Sequence, residues 1–390
     1  MRALLPVLLT VFLDLVGFGI VIPLLPYFAR EYGASGLHVT LLMAVYSLAQ
    51  FLMAPVWGGL AARYGRRPIM LVSVAATAIF LAAFASSTSL WMLFVFRALH
   101  GVATANISTA QAAVADLTEG KDRAMGMGMI GAAFGVGFSL GPWMGGELAV
   151  YGLSTPIWVA AGLSVINFVM TWFLLPETRK PGAAAAGHTR SVNPGAFVQV
   201  ARHAVVGPAV VLTFVMTAAF ALMESTFGVF AADVHQLSPA QLGRMFGAAG
   251  LTGIIVQGGL IRPLARRFGE GPLVRVGIAL LASGLALLPY ADPDGSMVAV
   301  FILISIGQGL TTPNLYSLIS RHTSPDEQGF VLGTNQSMSA LARVVGPTVG
   351  GLLYTHISPR SPFQVSALVL VGGLGLAFYA LRRLGPTPSA

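Results

Sequence analysis

The feature that most limits what this chain can become is a succession of twelve apolar runs divided by short polar breaks. They lie approximately at 3–27, 39–61, 68–86, 90–114, 124–149 and 155–175, then at 206–231, 240–261, 272–290, 296–320, 329–354 and 362–381. A helix that crosses a bilayer needs about 20 apolar residues, and each run reaches that length or nearly so. Charged residues make up 9% of the chain, against roughly 25% in soluble domains, and the mean hydropathy is +0.78. Twelve helices take roughly 250 residues, which leaves too few of the 390 for a sizeable soluble domain. The chain therefore reads as an all-α integral membrane protein with twelve transmembrane helices. The first run follows Arg2 as a signal peptide would, but Asp14 sits in its middle and no convincing small-residue cleavage site follows, so a retained helix is expected. With no cysteine, disulfides and thiolate metal sites are excluded.

Lys and Arg favour cytoplasmic loops. With the N-terminus inside, the cytoplasmic segments hold 17 of the 22 basic residues, among them Arg63, Arg66, Arg67, Arg262, Arg266, Arg267 and Arg321. The net charge of +8 is then a topology signal, not a nucleic-acid footprint, and both termini are expected in the cytoplasm. The segment 176–205 is the one long polar connection and reads as a linker. It divides the chain into two six-helix halves, 1–175 and 206–390.

The halves repeat one another. Leu60-Ala-Ala-Arg-Tyr-Gly-Arg-Arg-Pro68 realigns with Leu264-Ala-Arg-Arg-Phe-Gly-Glu-Gly-Pro272, and Gly141-Pro-Trp-Met-Gly-Gly146 with Gly346-Pro-Thr-Val-Gly-Gly351. Gly101-Val-Ala-Thr-Ala-Asn106 likewise returns as Gly309-Leu-Thr-Thr-Pro-Asn314. Three matches in order, at nearly constant spacing, imply two pseudo-symmetric bundles with a pathway between them and alternating access by rocking.

These same segments resemble known signatures. The stretch Gly58-Gly-Leu-Ala-Ala-Arg-Tyr-Gly-Arg-Arg67 is similar to the loop motif of the major facilitator superfamily. Asp14-Leu-Val-Gly-Phe-Gly-Ile-Val-Ile-Pro23, Arg97-Ala-Leu-His-Gly101 and Gly137-Phe-Ser-Leu-Gly-Pro-Trp-Met-Gly-Gly146 resemble motifs of its twelve-helix drug:proton antiporters. The general likeness is to tetracycline-efflux-like members and covers essentially the whole chain. Two departures stand out. Ala62 replaces the acid usual in the loop motif, and the runs 68–86 and 272–290 lack the acids that tetracycline exporters carry there.

An ionisable group near the bilayer centre costs at least about 2.5–3.5 kcal/mol and is a functional candidate by default. Asp14 lies about 16 Å into the first helix and Glu224 about 27 Å into the seventh, at 1.5 Å per residue. Each half thus places one carboxylate on its first helix, where a dry cavity favours the neutral acid and makes reversible protonation possible. Arg97 heads a stripe with Gly101, Thr104, Ser108 and Gln111, spaced for one helical face. It either holds Asp14 ionised until a proton or substrate displaces it, or clamps helix one against helix four for good. Arg343 either pairs with a carboxylate or attracts an anionic substrate. Glu147 reads as a solvated helix end.

The glycines around Gly141-Pro142 and Gly346-Pro347 recur at Gly-x-x-x-Gly spacing, which lets helices approach closely in lipid. They are expected to form a seam between the halves that opens and closes. Gly58, Arg63, Gly65, Arg66 and Arg67 belong to a cytoplasmic gate, with Asp116, Glu119, Asp122, Asp326 and Glu327 as possible partners. The expected substrate-facing groups are Phe18, Tyr46, Gln50, Asn106, Gln111, Phe220, Phe227, Gln257, Asn314, Asn335, Gln336 and Arg343. Aromatic walls with a few amides suit loosely specified amphipathic cargo. No Walker loop and no His-Glu-x-x-His motif occurs, so the expectation is a non-enzymatic, monomeric transporter of the cell membrane. It would need no cofactor beyond a proton gradient, and its partners would be lipid, protons and a small molecule. The alternative within the fold is an organic-anion or lysolipid carrier that uses Arg97 and Arg343.

Overall fold

The structure, a computed structural model, describes residues 4–104, 106–118, 120–178, 200, 203, 206–293, 295–324 and 327–381. Most of the linker, together with Glu119 and Asp326, lies outside the described residues, as do the side chains of Asn106, Ser108 and Asp122. Among the described residues the regular structure is helical throughout. The first half supplies α1 (Leu5–Val21), α2 (Leu25–Arg30), α3 (Gly36–Tyr64), α4 (Arg66–Ala85), α5 (Leu90–Ala103), α6 (Asn106–Leu117), α7 (Gly120–Leu148) and α8 (Thr155–Leu174). The second supplies α9 (Val206–Val234), α10 (Pro239–Ile255), α11 (Ile261–Phe268), α12 (Glu270–Leu287), α13 (Ser296–Arg321), α14 (Gln328–His356) and α15 (Ser361–Leu381). Eight of the described helical segments are long and apolar enough to cross a membrane.

Every expected run is helical, and three are divided. Run one breaks at Ile22–Leu24, because Pro23 has no N–H to continue the ladder. Run eight passes through a π turn at Val256–Leu260, where Gly258 and Gly259 precede Pro263. Run four breaks at Thr104, whose backbone (φ −80°, ψ 89°) leaves the helix. The cause lies in neighbouring helices. Trp57 Nε1 donates to the Val102 carbonyl at 2.6 Å, and Ser73 Oγ donates to the Ala103 carbonyl. Those carbonyls would otherwise accept from residues 106 and 107. The polar stripe from Arg97 to Gln111 is therefore not one continuous helical face, and Gln111 is exposed.

By contacts the chain divides into two compact units, residues 1–191 with 237–250, and residues 192–236 with 251–390. The N-terminal part of α10 is thus counted with the first unit. In that unit α1 packs on α7 and α8, α4 on α5 and α8, and α3 on α5. Leu4, Val7, Leu8, Val11, Leu15, Met70, Ala113 and Ile130 form one buried cluster in it. In the second unit α9 packs on α14 and α15, and α12 on α13 and α15.

Large apolar side chains such as Trp91, Phe173, Leu368 and Val371 remain exposed, as expected of surfaces that face lipid tails. Without a hydrophobic drive between helices, close approach depends on small residues. A Cβ at Gly141 would lie 2.7 Å from the Val16 carbonyl, and one at Gly346 2.7 Å from the Ala218 carbonyl. Each Gly-Pro motif thus seats its helix on the first helix of its own half. The expected seam between the halves is not what Gly141 and Gly346 line.

Candidate transport and gating sites

In the first unit the buried charge lies among aromatic rings. Arg97 on α5 is 1% exposed. Its guanidinium carbon stands 4.5 Å from the Tyr46 ring centre and 5.5 Å from that of Phe18, and Nη1 is 3.5 Å from His100 Nδ1. Tyr46 and His100 meet edge-on at 5.1 Å; Phe18 lies 5.0 Å from Tyr46 and 6.3 Å from Phe138. Among the described residues Arg97 Nε has no hydrogen-bond partner. Asp14, also buried, sits one turn before Phe18 on the same α1 face. The structure therefore assembles Phe18, Tyr46 and Arg97 from α1, α3 and α5, with Asp14 one turn away on α1. His100 joins them, one turn from Arg97, although the sequence pattern alone gave it no role.

In the second unit Glu224 on α9 has a buried Oε1 with no hydrogen-bond partner among the described residues. Arg343 on α14 is near enough to act on it electrostatically. Asn335 is fully buried and, among the described residues, both its amide atoms lack partners. Asn314 is also buried, but its Nδ2 donates to the Leu310 carbonyl at 2.7 Å. Phe227 is buried against Phe301, with ring centres 4.5 Å apart, so its ring is committed to packing. Gln336 is exposed and accepts from Tyr316. Gln257 is exposed in the π turn, and Phe220 and Gln50 are half-buried.

The loop after α3 turns at Gly65, where φ is +105°. A side chain there would be strained, and a Cβ would collide with the Glu177 carboxylate. That carboxylate accepts from the Arg66 N–H at 2.9 Å and the Arg67 N–H at 3.3 Å, which places an anion on the N-terminus of α4. Arg66 Nε meets Asp116 at 3.1 Å, and Arg67 donates to the Trp172 carbonyl at 2.6 Å. Arg63 is exposed and lies over the Tyr64 ring. Gly58 is half-buried, with nothing near a Cβ built on it.

The second repeat has the same geometry with the signs exchanged. Gly269 has φ +78°, and Glu270 stands where Arg66 stands in the first repeat. Its Oε1 meets Arg321 at 3.3 Å and Ser317 at 2.5 Å. Arg–Asp at the start of α4 thus becomes Glu–Arg at the start of α12.

Glu147 is paired instead of merely solvated: Arg244 grips it with both Nε (2.6 Å) and Nη2 (3.2 Å). Beside this pair, α7 and the N-terminal part of α10 touch backbone to backbone. A Cβ at Gly146 would be 2.5 Å from the Pro239 carbonyl, and one at Gly243 2.5 Å from the Pro142 carbonyl.

Two units of helices, one holding Asp14 and Arg97 buried mid-helix and the other a half-buried Glu224, are the arrangement of a membrane transporter. The sequence profile of the Major Facilitator Superfamily matches residues 7–342 and 258–390, and the chain belongs to that family. It is 33% identical over 387 residues to the class C tetracycline resistance protein of Escherichia coli, covering 98% of this chain and 96% of that protein. It is 26% identical to multidrug resistance protein 2 of Bacillus subtilis (strain 168), covering 94% and 92%. The crystal structure of the human organic anion transporter MFSD10 superimposes with a TM-score of 0.72 at 26% identity, covering 96% of this chain and 99% of that one.

Proposed function

We infer that the protein is a proton-coupled exporter of small lipophilic or amphipathic compounds, of the drug-efflux type, which works by alternating access. It acts without a cofactor or enzymatic step, as a monomer in the bacterial inner membrane, with both termini cytoplasmic. The observation that carries this reading is one mid-helix carboxylate on the first helix of each half, Asp14 buried on α1 and Glu224 half-buried on α9 with its Oε1 out of reach of solvent. Its relatives, named for tetracycline and multidrug resistance, supply the direction of transport. A carboxylate taken from water into a low-dielectric cleft gains from accepting a proton and loses it again when rehydrated. That is the cycle an antiporter needs.

A second reading, organic-anion transport, is favoured by one feature: Arg97 is a fully buried cation whose Nε is unsatisfied among the described residues. Proteoliposomes with an imposed pH gradient separate the two. Cationic, neutral and anionic compounds, with tetracycline as one arm, are followed together with proton movement. The exporter reading expects solute exit matched to proton entry, reduced at least tenfold by Asp14→Asn and Glu224→Gln with protein level intact. Full export by both variants refutes the coupling role, and flux confined to anions transfers the function to Arg97.

A further inference from the structure

Along the outer half of the second unit, α12 and α15 leave between them a groove of about 560 Å³ lined by Ser283, Ala286, Tyr290, Gln364, Leu368 and Val371. We propose that this groove binds one phospholipid of the outer leaflet, with an acyl chain along α12 and the headgroup phosphate against Arg360, Tyr290 and Gln364.

The shape comes from sequence. Ala279, Ala282, Ser283 and Ala286 follow one another at helical spacing, so α12 offers a shallow wall where Leu368 and Val371 of α15 stand out. From residue 279 to residue 290 the helix rises about 16 Å, close to half of the roughly 30 Å hydrocarbon core. The groove is therefore as long as one leaflet is deep. Its chemistry changes at one end only. There Gln364 Nε2 donates to the Tyr290 hydroxyl at 2.8 Å, and the Arg360 guanidinium lies 5.2 Å from the Tyr290 ring centre. Arg360, Tyr290 and Gln364 are all exposed. His235 and Asp292 stand near Arg360 on the same rim.

A cation held on an aromatic face at the interface, above an apolar trough, complements an anionic phosphate above an acyl chain. Neither unit needs this groove for the proton site, and no motif of the sequence points to it.

The full chain purified in detergent is mixed with palmitoyl-oleoyl phosphatidylglycerol or with the matching diacylglycerol, and bound lipid is counted by native mass spectrometry. One tightly retained phosphatidylglycerol is expected, with diacylglycerol held at least tenfold more weakly. Arg360→Gln should weaken the phospholipid about tenfold and leave diacylglycerol unchanged. Ser283→Leu and Ala286→Leu, which fill the exposed trough without touching the core, should lower retention of both lipids at least tenfold. A circular-dichroism melt verifies the fold of each variant. Equal retention by the trough variants and the unaltered protein overturns the proposal. So does equal binding of the two lipids, or a dimer mass that vanishes in the trough variants.

Discussion

Replacing Gly146 with alanine is the sharpest test of the contact between α7 and the N-terminal part of α10. The new methyl carbon would stand 2.5 Å from the Pro239 carbonyl oxygen, 3.0 Å from Gly243 Cα and 3.1 Å from Ala240 Cα. All three are backbone atoms of α10 or its first turn, so no side chain can swing aside. Restoring ordinary contact requires the helices to part by about 1 Å, and a gap of that size forfeits up to about half of each dispersion well it opens. Gly243 against Pro142, Gly247 against Trp143 and Gly250 against Ser139 all lie along the same line of contact.

Overpacking of this kind costs about 1–3 kcal/mol, which is about 5- to 150-fold in a two-state equilibrium. The chain has no cysteine, so a single Ser139→Cys reporter needs no other change. Ser139 is buried and donates to the Gly247 carbonyl. Membrane-impermeant maleimide applied from outside should label the reporter about 5- to 150-fold faster when Gly146→Ala is present. Gly162→Ala on α8, where a Cβ meets nothing within 4 Å, should leave the rate unchanged. Unaltered labelling in Gly146→Ala would refute the view that these backbone contacts keep Ser139 covered.

Exchanging the partners as Arg66→Asp with Asp116→Arg copies the sign order found at Glu270 and Arg321, so the double variant should recover most of the transport lost by either single change. The effect on stability should stay within about 1 kcal/mol, because both partners are partly solvated. Glu177→Ala removes the acceptor of two N–H groups at the start of α4 and should cost about 0.5–2 kcal/mol, read as faster amide exchange in that first turn. His235, in the loop after α9, is held below the ordinary imidazole range chiefly by burial. Protonating it therefore opposes folding: its contribution is present above about pH 6.5 and fades as the pH falls below that. His235→Gln should accordingly flatten the fall in thermal midpoint between pH 7 and pH 5.

Hydrophobic length carried the fold. Runs placed at 155–175 and 296–320 became helices Thr155–Leu174 and Ser296–Arg321, because lipid demands the same property everywhere along a span. Breaks were harder to read. Pro23 announces one in its own sequence, whereas the break at Thr104 depends on Trp57 and Ser73, donors from helices remote in the chain. The Phe18–Tyr46–Arg97 grouping could be anticipated because charges and aromatic rings in an apolar run have few places to go. Glu177 read as the start of a linker and Glu147 as a wet helix end, since an acid at a boundary looks solvated until its partner is known. The glycines showed that close contact exists but not with which helix. Gly141 and Gly146 are five residues apart and face different partners.

The π turn at Val256–Leu260 falls just past residue 250, where α10 passes from one unit to the other. A rod gripped separately at its two ends has to yield somewhere when those ends shift. Gly258 and Gly259 have open space beside their backbone, and the surplus residue in the turn already loosens the ladder there. Bending at this point would tear no side-chain contact at either glycine, so the helix can swivel its C-terminal end there.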